Sequence, residues 1–274
     1  DGTDNGLTYK MQYASTPVQL EAGKGATLLF TPKVVGKESE AVPLDVQHEK
    51  KIHLIVVSND LSYFEHIHPD YQADGSYKIG VLPNGKTYTN GPGKNETRFE
   101  TGGDYTLFAD YLPSGGSHQV EKVSVNVKGT PKPAVTYTAD KLTGKSDNFT
   151  VMLNATGGKL ITGAQMHISG MLMKDGKEID VNTLENYLGA KAHMVVVSLS
   201  DKEYLHVHPD VSGGKFDLHT TFKMPGIYRG WIQFQSGGKV NTVDFTMNVK
   251  EGTAEEIKKT TEGHDSKEGG HENH

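Results

Sequence analysis

One twenty-residue stretch occurs twice in this chain, at residues 51–70 and 191–210, and the two copies align without a gap at an offset of 140 residues. Each copy begins with an apolar, β-branched run that carries a histidine. It then passes through polar residues and closes on His-x-His-Pro-Asp. Such runs on either side of a short polar turn are typical of a β-hairpin. The chain is therefore predicted to build the same hairpin twice, with three histidines at the open end of each.

Strand geometry predicts that the three histidines of each hairpin converge. Residues two apart on a strand project from the same face, so His206 and His208 share a face. If the polar turn has four residues, Ser198 pairs with Glu203 and His193 lies opposite His208. A turn one residue longer or shorter would send His193 to the other face.

The same count applies to the first copy, where Ser58 pairs with Tyr63. His53 then lies opposite His68 and beside His66, and the three imidazoles converge within roughly 5 to 7 Å at the backbone.

Composition limits the chemistry that the chain can support. The 274 residues contain no cysteine, which excludes disulfides, thiolate zinc sites and blue-copper centres. The formal net charge of −6, with no local cluster of lysine and arginine, argues against a nucleic-acid partner. No apolar run approaches the roughly 18 residues of a membrane span. The first residues include neither an initiator methionine nor a signal sequence, so we expect a mature exported protein, periplasmic or extracellular, with earlier lipid anchoring left open.

The duplication extends beyond the histidines. Upstream, the triplet Gly-Lys-Glu at residues 36–38 recurs at 176–178 with the same offset of 140. Downstream, Phe99 and Tyr105 correspond to Phe222 and Tyr228 at an offset of 123, so the first copy carries 17 additional residues after its His-x-His. The predicted organisation is two domains and a tail, with the boundaries 1–130, 131–250 and 251–274.

Short segments of strand composition between turn residues predict an all-β fold for both halves. Their spacing favours two tandem immunoglobulin-like antiparallel β-sandwich domains. We expect Tyr105, Tyr228 and the single tryptophan, Trp231, to pack in these sandwiches. One short helix is predicted near residues 181–187.

The tail changes character, since it holds seven acidic and three basic residues and almost no apolar ones. It is therefore predicted to be disordered beyond a turn at residues 254–259. Three tail histidines either collect metal ions loosely or are incidental: His264, His271 and His274.

The duplicated histidines are candidate metal ligands. Imidazole suits copper, zinc and nickel, and a set of three leaves a coordination position open. The predicted metal ligands, for copper or zinc, are His53, His66, His68, His193, His206 and His208. The alternative is that the motif is structural, with the histidines donating hydrogen bonds to backbone carbonyls. Methionine-rich residues 166–173 could add to a copper-handling surface, but core packing is the favoured interpretation.

The second copy resembles a known family. The resemblance covers most of residues 176–250, with the segments YLGAKAH, YLHVHP and GIYRGWIQFQSGGKV, and the first half repeats it with Gln47-His-Glu-Lys in place of Leu-Gly-Ala. These segments are similar to bacterial secreted or lipid-anchored YtkA-like proteins, which are described as heavy-metal or copper associated. The resemblance implies an exported β-sandwich protein associated with metal homeostasis.

The leading hypothesis is a non-enzymatic exported metal-binding protein that acts as a carrier, buffer or sensor of copper or zinc. The alternative is an envelope module that binds a protein or glycan through loops, above all the 17-residue insertion, with structural histidines. A zinc-hydroxide enzyme ranks third, because Glu65 and Glu203 stand at odd separations from the His-x-His pair and should face away from it.

Overall fold

The structure, a computed structural model, describes residues 5–81, 86–88, 95–97 and 99–268. The chain divides into two compact units, Asp1–Thr136 and Tyr137–His274. Both are antiparallel β-sandwiches of immunoglobulin-like architecture, so the predicted tandem all-β fold is confirmed. No helix among the described residues is long and apolar enough to cross a membrane.

The first unit is built from strands that form two facing sheets. One sheet has the order β1-β3-β8-β9-β10, with β7 beside β8, and the other has the order β2-β12-β11-β5-β6, with β4 beside β11. The strands are Tyr9–Thr16 (β1), Leu20–Glu21 (β2), Ala26–Val34 (β3), Leu44–Asp45 (β4), Ile52–Ser58 (β5), Phe64–Ile67 (β6), Asp70–Tyr71 (β7), Tyr77–Val81 (β8), Lys86–Tyr88 (β9), Asn95–Thr97 (β10), Gly103–Pro113 (β11) and Gln119–Lys128 (β12).

The second unit repeats this plan. One sheet has the order β13-β14-β15-β20-β19, with β16 beside β15, and the other has the order β18-β17-β21-β22. The strands are Thr143–Ser146 (β13), Phe149–Ala155 (β14), Gln165–Lys174 (β15), Lys177–Ile179 (β16), His193–Ser198 (β17), Tyr204–His206 (β18), His208–Ser212 (β19), Lys215–Thr221 (β20), Gly226–Ser236 (β21) and Lys239–Val249 (β22). A helix, Ala254–Glu268 (α1), follows them.

Alternation along the central strands separates core from outer face. In β5, Leu54 and Val56 enter the core cluster between the sheets. His53 and Ile55 alternate with these core residues along the strand and therefore project from the opposite face. In β17, Met194 enters the second core in the same way, so the first histidine of each copy lies on the outer face of its sheet.

Each sandwich has a buried tyrosine near the start of its long penultimate strand, and the hydroxyl of this tyrosine bonds to the backbone. Tyr105 and Tyr228 are 5% and 1% exposed, as expected. The hydroxyl of Tyr105 donates to the carbonyl of Thr101 at 2.9 Å, and that of Tyr228 donates to the carbonyl of Met224 at 2.6 Å. This is the tyrosine corner of immunoglobulin-like sandwiches. Trp231 is also buried, but it pairs with Val195 on the outer face of its sheet rather than in the main core.

The predicted hairpin register is confirmed over the paired residues of both copies, which end before the predicted pairs His53–His68 and His193–His208. In the first, Ile55 pairs with His66, and the Ser58 amide donates to the Tyr63 carbonyl at 3.2 Å. In the second, Val195 pairs with His206. The Ser198 amide there donates to the Glu203 carbonyl at 2.9 Å, which closes the predicted four-residue turn.

The expectation that His206 and His208 share one strand is corrected. β18 ends at His206, whereas β19 begins at His208 and pairs with β20 of the facing sheet. In the first unit β6 likewise ends at Ile67, and β7 joins β8. The chain crosses between the sheets at residues 68–69 in the first unit and at Val207 in the second, as strands do at the corners of a sandwich.

The predicted disordered tail is corrected over residues 254–268, which form α1. Thr253 and Glu256 form a reciprocal capping box: the Thr253 hydroxyl accepts from the Glu256 amide at 3.1 Å, and the Glu256 carboxylate accepts from the Thr253 amide at 3.3 Å. Ile257 packs against the core of the second unit. His271 and His274, and the side chain of His264, lie outside the described residues. The helix predicted near residues 181–187 is only a 3₁₀ turn, Val181–Thr183.

The tyrosine corner should contribute measurable stability. Changing Tyr228 to Phe keeps the buried ring and removes one hydrogen bond, so we expect the free energy of unfolding of the second unit to fall by about 1 kcal/mol. Urea unfolding followed by the fluorescence of Trp231 measures the effect. Met224→Leu is the matched control, because it keeps the accepting carbonyl, and an equal loss in both variants would contradict the assignment.

Candidate metal centre

Three predicted ligands, His53, His66 and His68, come together on the first unit. Their ring centroids lie 5.2 Å apart for His53 and His66, 5.0 Å for His53 and His68, and 4.8 Å for His66 and His68. One ring nitrogen from each lies within 4.8 Å of the other two. Such a group has the size and chemistry to hold one metal ion through three imidazoles.

A backbone carbonyl sets the tautomer of His53. Its Nε2 lies 2.7 Å from the carbonyl oxygen of Gln47, which can only accept, so Nε2 carries the proton. The lone pair of the neutral ring is then on Nδ1, which faces Nε2 of His66 at 3.0 Å. Metal-ligating histidines usually have this arrangement, in which the second ring nitrogen donates to a carbonyl.

A tight turn presents that carbonyl. Gln47 and Lys50 exchange two backbone hydrogen bonds of 2.9 and 3.1 Å. The residues between them, His48 and Glu49, have φ of 46° and 65°, as a type I′ turn requires at both central positions. The turn therefore holds the carbonyl of Gln47 against the ring of His53.

The second copy builds the same device. Tyr187 and Ala190 exchange hydrogen bonds of 2.8 and 3.1 Å around Leu188 and Gly189, whose φ values are 50° and 80°. Nε2 of His193 donates to the Tyr187 carbonyl at 2.7 Å. The expectation that histidines bond to backbone carbonyls therefore holds for Nε2 of His53 and of His193. This bond places the lone pair of each of these two neutral rings on Nδ1.

Burial keeps the His53 ring neutral. The residue is 8% exposed, and this burial lowers the pKa of His53 below its ordinary value of 6.5. The hydrogen bond to Gln47 and the charge of Asp110 act in the opposite direction but are smaller causes. A neutral imidazole is the form that binds metal.

An acidic neighbour distinguishes the first copy. Asp110 is the cross-strand partner of His53 on β11, and its carboxylate lies 2.5 Å from Nε2 of His118. In the second copy, Gln233 takes the position opposite His193. The first cluster therefore has a negative group beside it where the second has a neutral one.

The second predicted set is only partly described. His193 lies on β17 and is half-buried, His208 is exposed on β19, and the side chain of His206 lies outside the described residues. Among the described side chains, neither His193 nor His208 belongs to a close group of three ligands. The second set therefore stays a prediction.

Sequence reasoning missed a different group in the second unit, formed by His167, Asp217 and His219. The available pattern was the pair Asp217-x-His219, whose spacing of two places both side chains on one face of a strand. The partner, His167, is 50 residues upstream of Asp217, and only the fold brings it near.

The methionines divide between core and surface. Met166 and Met194 belong to the core, as the favoured interpretation expected. Met171 and Met173 are half-buried on the outward face of β15, and Met152, their neighbour on β14, is 38% exposed.

The pair formed by His118 and Asp110 should make stability depend on pH. The hydrogen bond to Asp110 raises the pKa of His118 above 6.5, so the pair stabilises the fold fully below the unfolded-state pKa and loses this effect as pH rises through the folded-state pKa. His118→Gln should therefore lower the urea midpoint of the first unit more at pH 6 than at pH 8. Asp110→Asn should remove the same pH-dependent increment, and a His118→Gln effect independent of pH would contradict the pairing.

Three solved structures are similar to this chain at 8% to 12% sequence identity. The chain is 12% identical to a chimeric titin Z1Z2 functionalized with a KLER exogenous peptide from decorin, over 90% of this chain and 97% of that one, with a TM-score of 0.23. It is 8% identical to the N-terminal Ig1-2 module of the Drosophila receptor protein tyrosine phosphatase DLAR, over 89% and 99%, with a TM-score of 0.21. It is 12% identical to domains 4–9 of surface layer protein SbsC, over 92% and 32%, with a TM-score of 0.24. We draw no functional conclusion from likeness at this level.

No curated protein matches the chain. One family does, in two segments that together cover most of the sequence, residues 3–129 and 144–251. That family is described as a domain of unknown function, DUF8832. The resemblance to YtkA-like proteins stays a prediction. On the extent of the match, this chain belongs to the DUF8832 family.

Proposed function

We propose that this protein binds a copper or zinc ion through His53, His66 and His68 and acts as an exported carrier or buffer of that metal. The observation that carries the proposal is the orientation of His53. Its Nε2 is committed to the Gln47 carbonyl, and its Nδ1 faces Nε2 of His66 at 3.0 Å. An ion there would replace the proton that His66 donates to His53 in the metal-free protein.

The donor set supports copper or zinc over harder ions. Imidazole suits zinc and copper, whereas magnesium and calcium prefer oxygen ligands. Three imidazoles leave a fourth position for water or for a ligand of a receiving protein. Asp110 lies beside the cluster and favours a positive charge there.

Binding and release, without catalysis, is the chemistry that we propose for this site. His66 and His68 are half-buried, so an incoming ligand can reach the ion. Glu65 pairs with Val56, a core residue, and therefore projects from the face opposite His66. Asp110 is already bonded to His118. Neither carboxylate is poised as a general base toward an ion held by the cluster.

Removing two ligands should abolish this site. In the full chain, we expect His66→Ala with His68→Ala to lower the stoichiometry of Zn(II) or Cu(II) binding by one equivalent in calorimetric titration, because a single remaining imidazole cannot hold the ion. Circular dichroism should stay unchanged, since both residues lie outside the core cluster.

His118→Ala is the matched control, because His118 is a half-buried histidine of the same unit outside the cluster. It should keep the full stoichiometry. Unchanged stoichiometry in the double variant would leave the cluster structural and direct the search to a protein or glycan partner for the loops.

A further inference from the structure

We propose that the second unit carries a separate site for a divalent transition-metal ion, held by His167, His219 and Asp217, with His208 and Asp210 beside it. The site differs from the three-histidine cluster of the first unit in its ligands, its strands and its sheet. It does not depend on the function proposed for that cluster.

Strand register aligns three histidines in one row. His167 on β15 pairs with His219 on β20, and His219 pairs with His208 on β19. Directly opposed residues project from the same face of a sheet. The face is the outward one, because Ile168 and Leu218, their neighbours in sequence, enter the core.

The ligand atoms of the group converge, and one of them, Nε2 of His219, makes no hydrogen bond to a described residue. The ring centroids of His167 and His219 lie 4.1 Å apart, and one ligand atom from each of His167, His219 and Asp217 lies within 4.8 Å of the others. Nε2 of His219 is buried and 3.1 Å from Oδ2 of Asp217, yet it makes no hydrogen bond to any described residue. Two donors at this separation, with no hydrogen bond between them, are spaced as neighbouring ligands of one metal ion would be.

Charge supports a cation at this position. Asp210 and Asp217 lie directly opposite each other, and like charges in that arrangement destabilise a sheet. Oδ2 of Asp210 is also 4.0 Å from Nε2 of His219. A divalent ion bound to Asp217 would offset the repulsion between the two carboxylates.

The first unit shows what the same scaffold contains without this site. There β8 lies between β7 and β3, as β20 lies between β19 and β15. Asp70 pairs with Lys78, a residue of opposite charge, where the second unit pairs Asp210 with Asp217. Two residues further along, Gly80 pairs with Thr27, where the second unit pairs His219 with His167.

All of these differences favour cation binding in the second unit over the first. Relative to the first unit, the second loses a lysine and gains a carboxylate and two imidazoles at adjacent positions of one sheet face. Two imidazoles with one carboxylate form a donor set for zinc, nickel, copper(II) or iron(II), with further positions open.

The test uses the full chain with the first cluster removed by His53→Ala, His66→Ala and His68→Ala. His264, His271 and His274 are changed to Gln so that the tail contributes no imidazole. Calorimetric titration with Zn(II) should then show one remaining equivalent. His219→Ala, and separately Asp217→Asn, should weaken it by more than about tenfold, since even partners of ligands typically contribute about 10–100-fold.

Two further variants decide between the candidate sites. His167→Thr introduces the residue that the first unit has at the corresponding position, and it should also weaken Zn(II) binding. His193→Ala should retain the equivalent, because His193 lies on the other sheet. Absence of Zn(II) binding in the parent variant, or loss in His193→Ala with retention in Asp217→Asn, would overturn the proposal. Trp231 fluorescence identifies any variant that fails to fold, and the near-isosteric Asp217→Asn then gives the decisive result.

Discussion

The antiparallel register between the central strand and its hairpin partner is the constraint on which the first cluster depends. In β5 the side chains alternate between the sandwich core and the outer face, so a slip of one residue would send His53 inward and Leu54 outward. Burial of Leu54 and Val56 therefore fixes His53 on the outer face of the sheet, next to the turn at residues 47–50. Packing energy in the sandwich is the physical reason that a polar cluster can be held on its outer face.

Register alone does not make His53 a ligand, because a ring on a strand can still rotate and exchange tautomers. The turn that precedes each central strand supplies the remaining constraint through the carbonyls of Gln47 and Tyr187. A buried imidazole needs a partner for its N–H, and the carbonyl satisfies it while leaving the other nitrogen directed away from the turn. A structural bond and the proposed ligating role are therefore compatible for this histidine, since the bond to Gln47 fixes the tautomer that leaves the lone pair on Nδ1.

Local patterns were enough to predict the hairpins, the burial of Tyr105 and Tyr228, and the convergence of His53 with His66 and His68. Each depends on alternation within a few strands that are close in sequence. The tail helix also had a local sequence signal, the capping box of Thr253 and Glu256. The acidic composition of the tail led instead to the prediction of disorder.

The change of sheet between β18 and β19 was not predictable, because it depends on how the hairpin packs across the sandwich. The pairing of His167 with His219 joins strands about 50 residues apart, and their relative register is set by the whole core rather than by a motif. Sequence spacing can place two side chains on one face of one strand. It cannot show which residue of a distant strand will lie opposite them.

Duplication explains why the two units share a scaffold and yet present different ligand groups. The central hairpin kept its register in both copies, but the neighbouring sheet diverged at the pair that is Asp70–Lys78 in one unit and Asp210–Asp217 in the other. An Asp–Lys pair is stable without a ligand, whereas an Asp–Asp pair beside His219 would gain stability from the cation proposed for this site. Outward positions of a sheet tolerate such exchanges because they leave the core unchanged, so each copy of this sandwich can acquire its own set of donors without losing its fold.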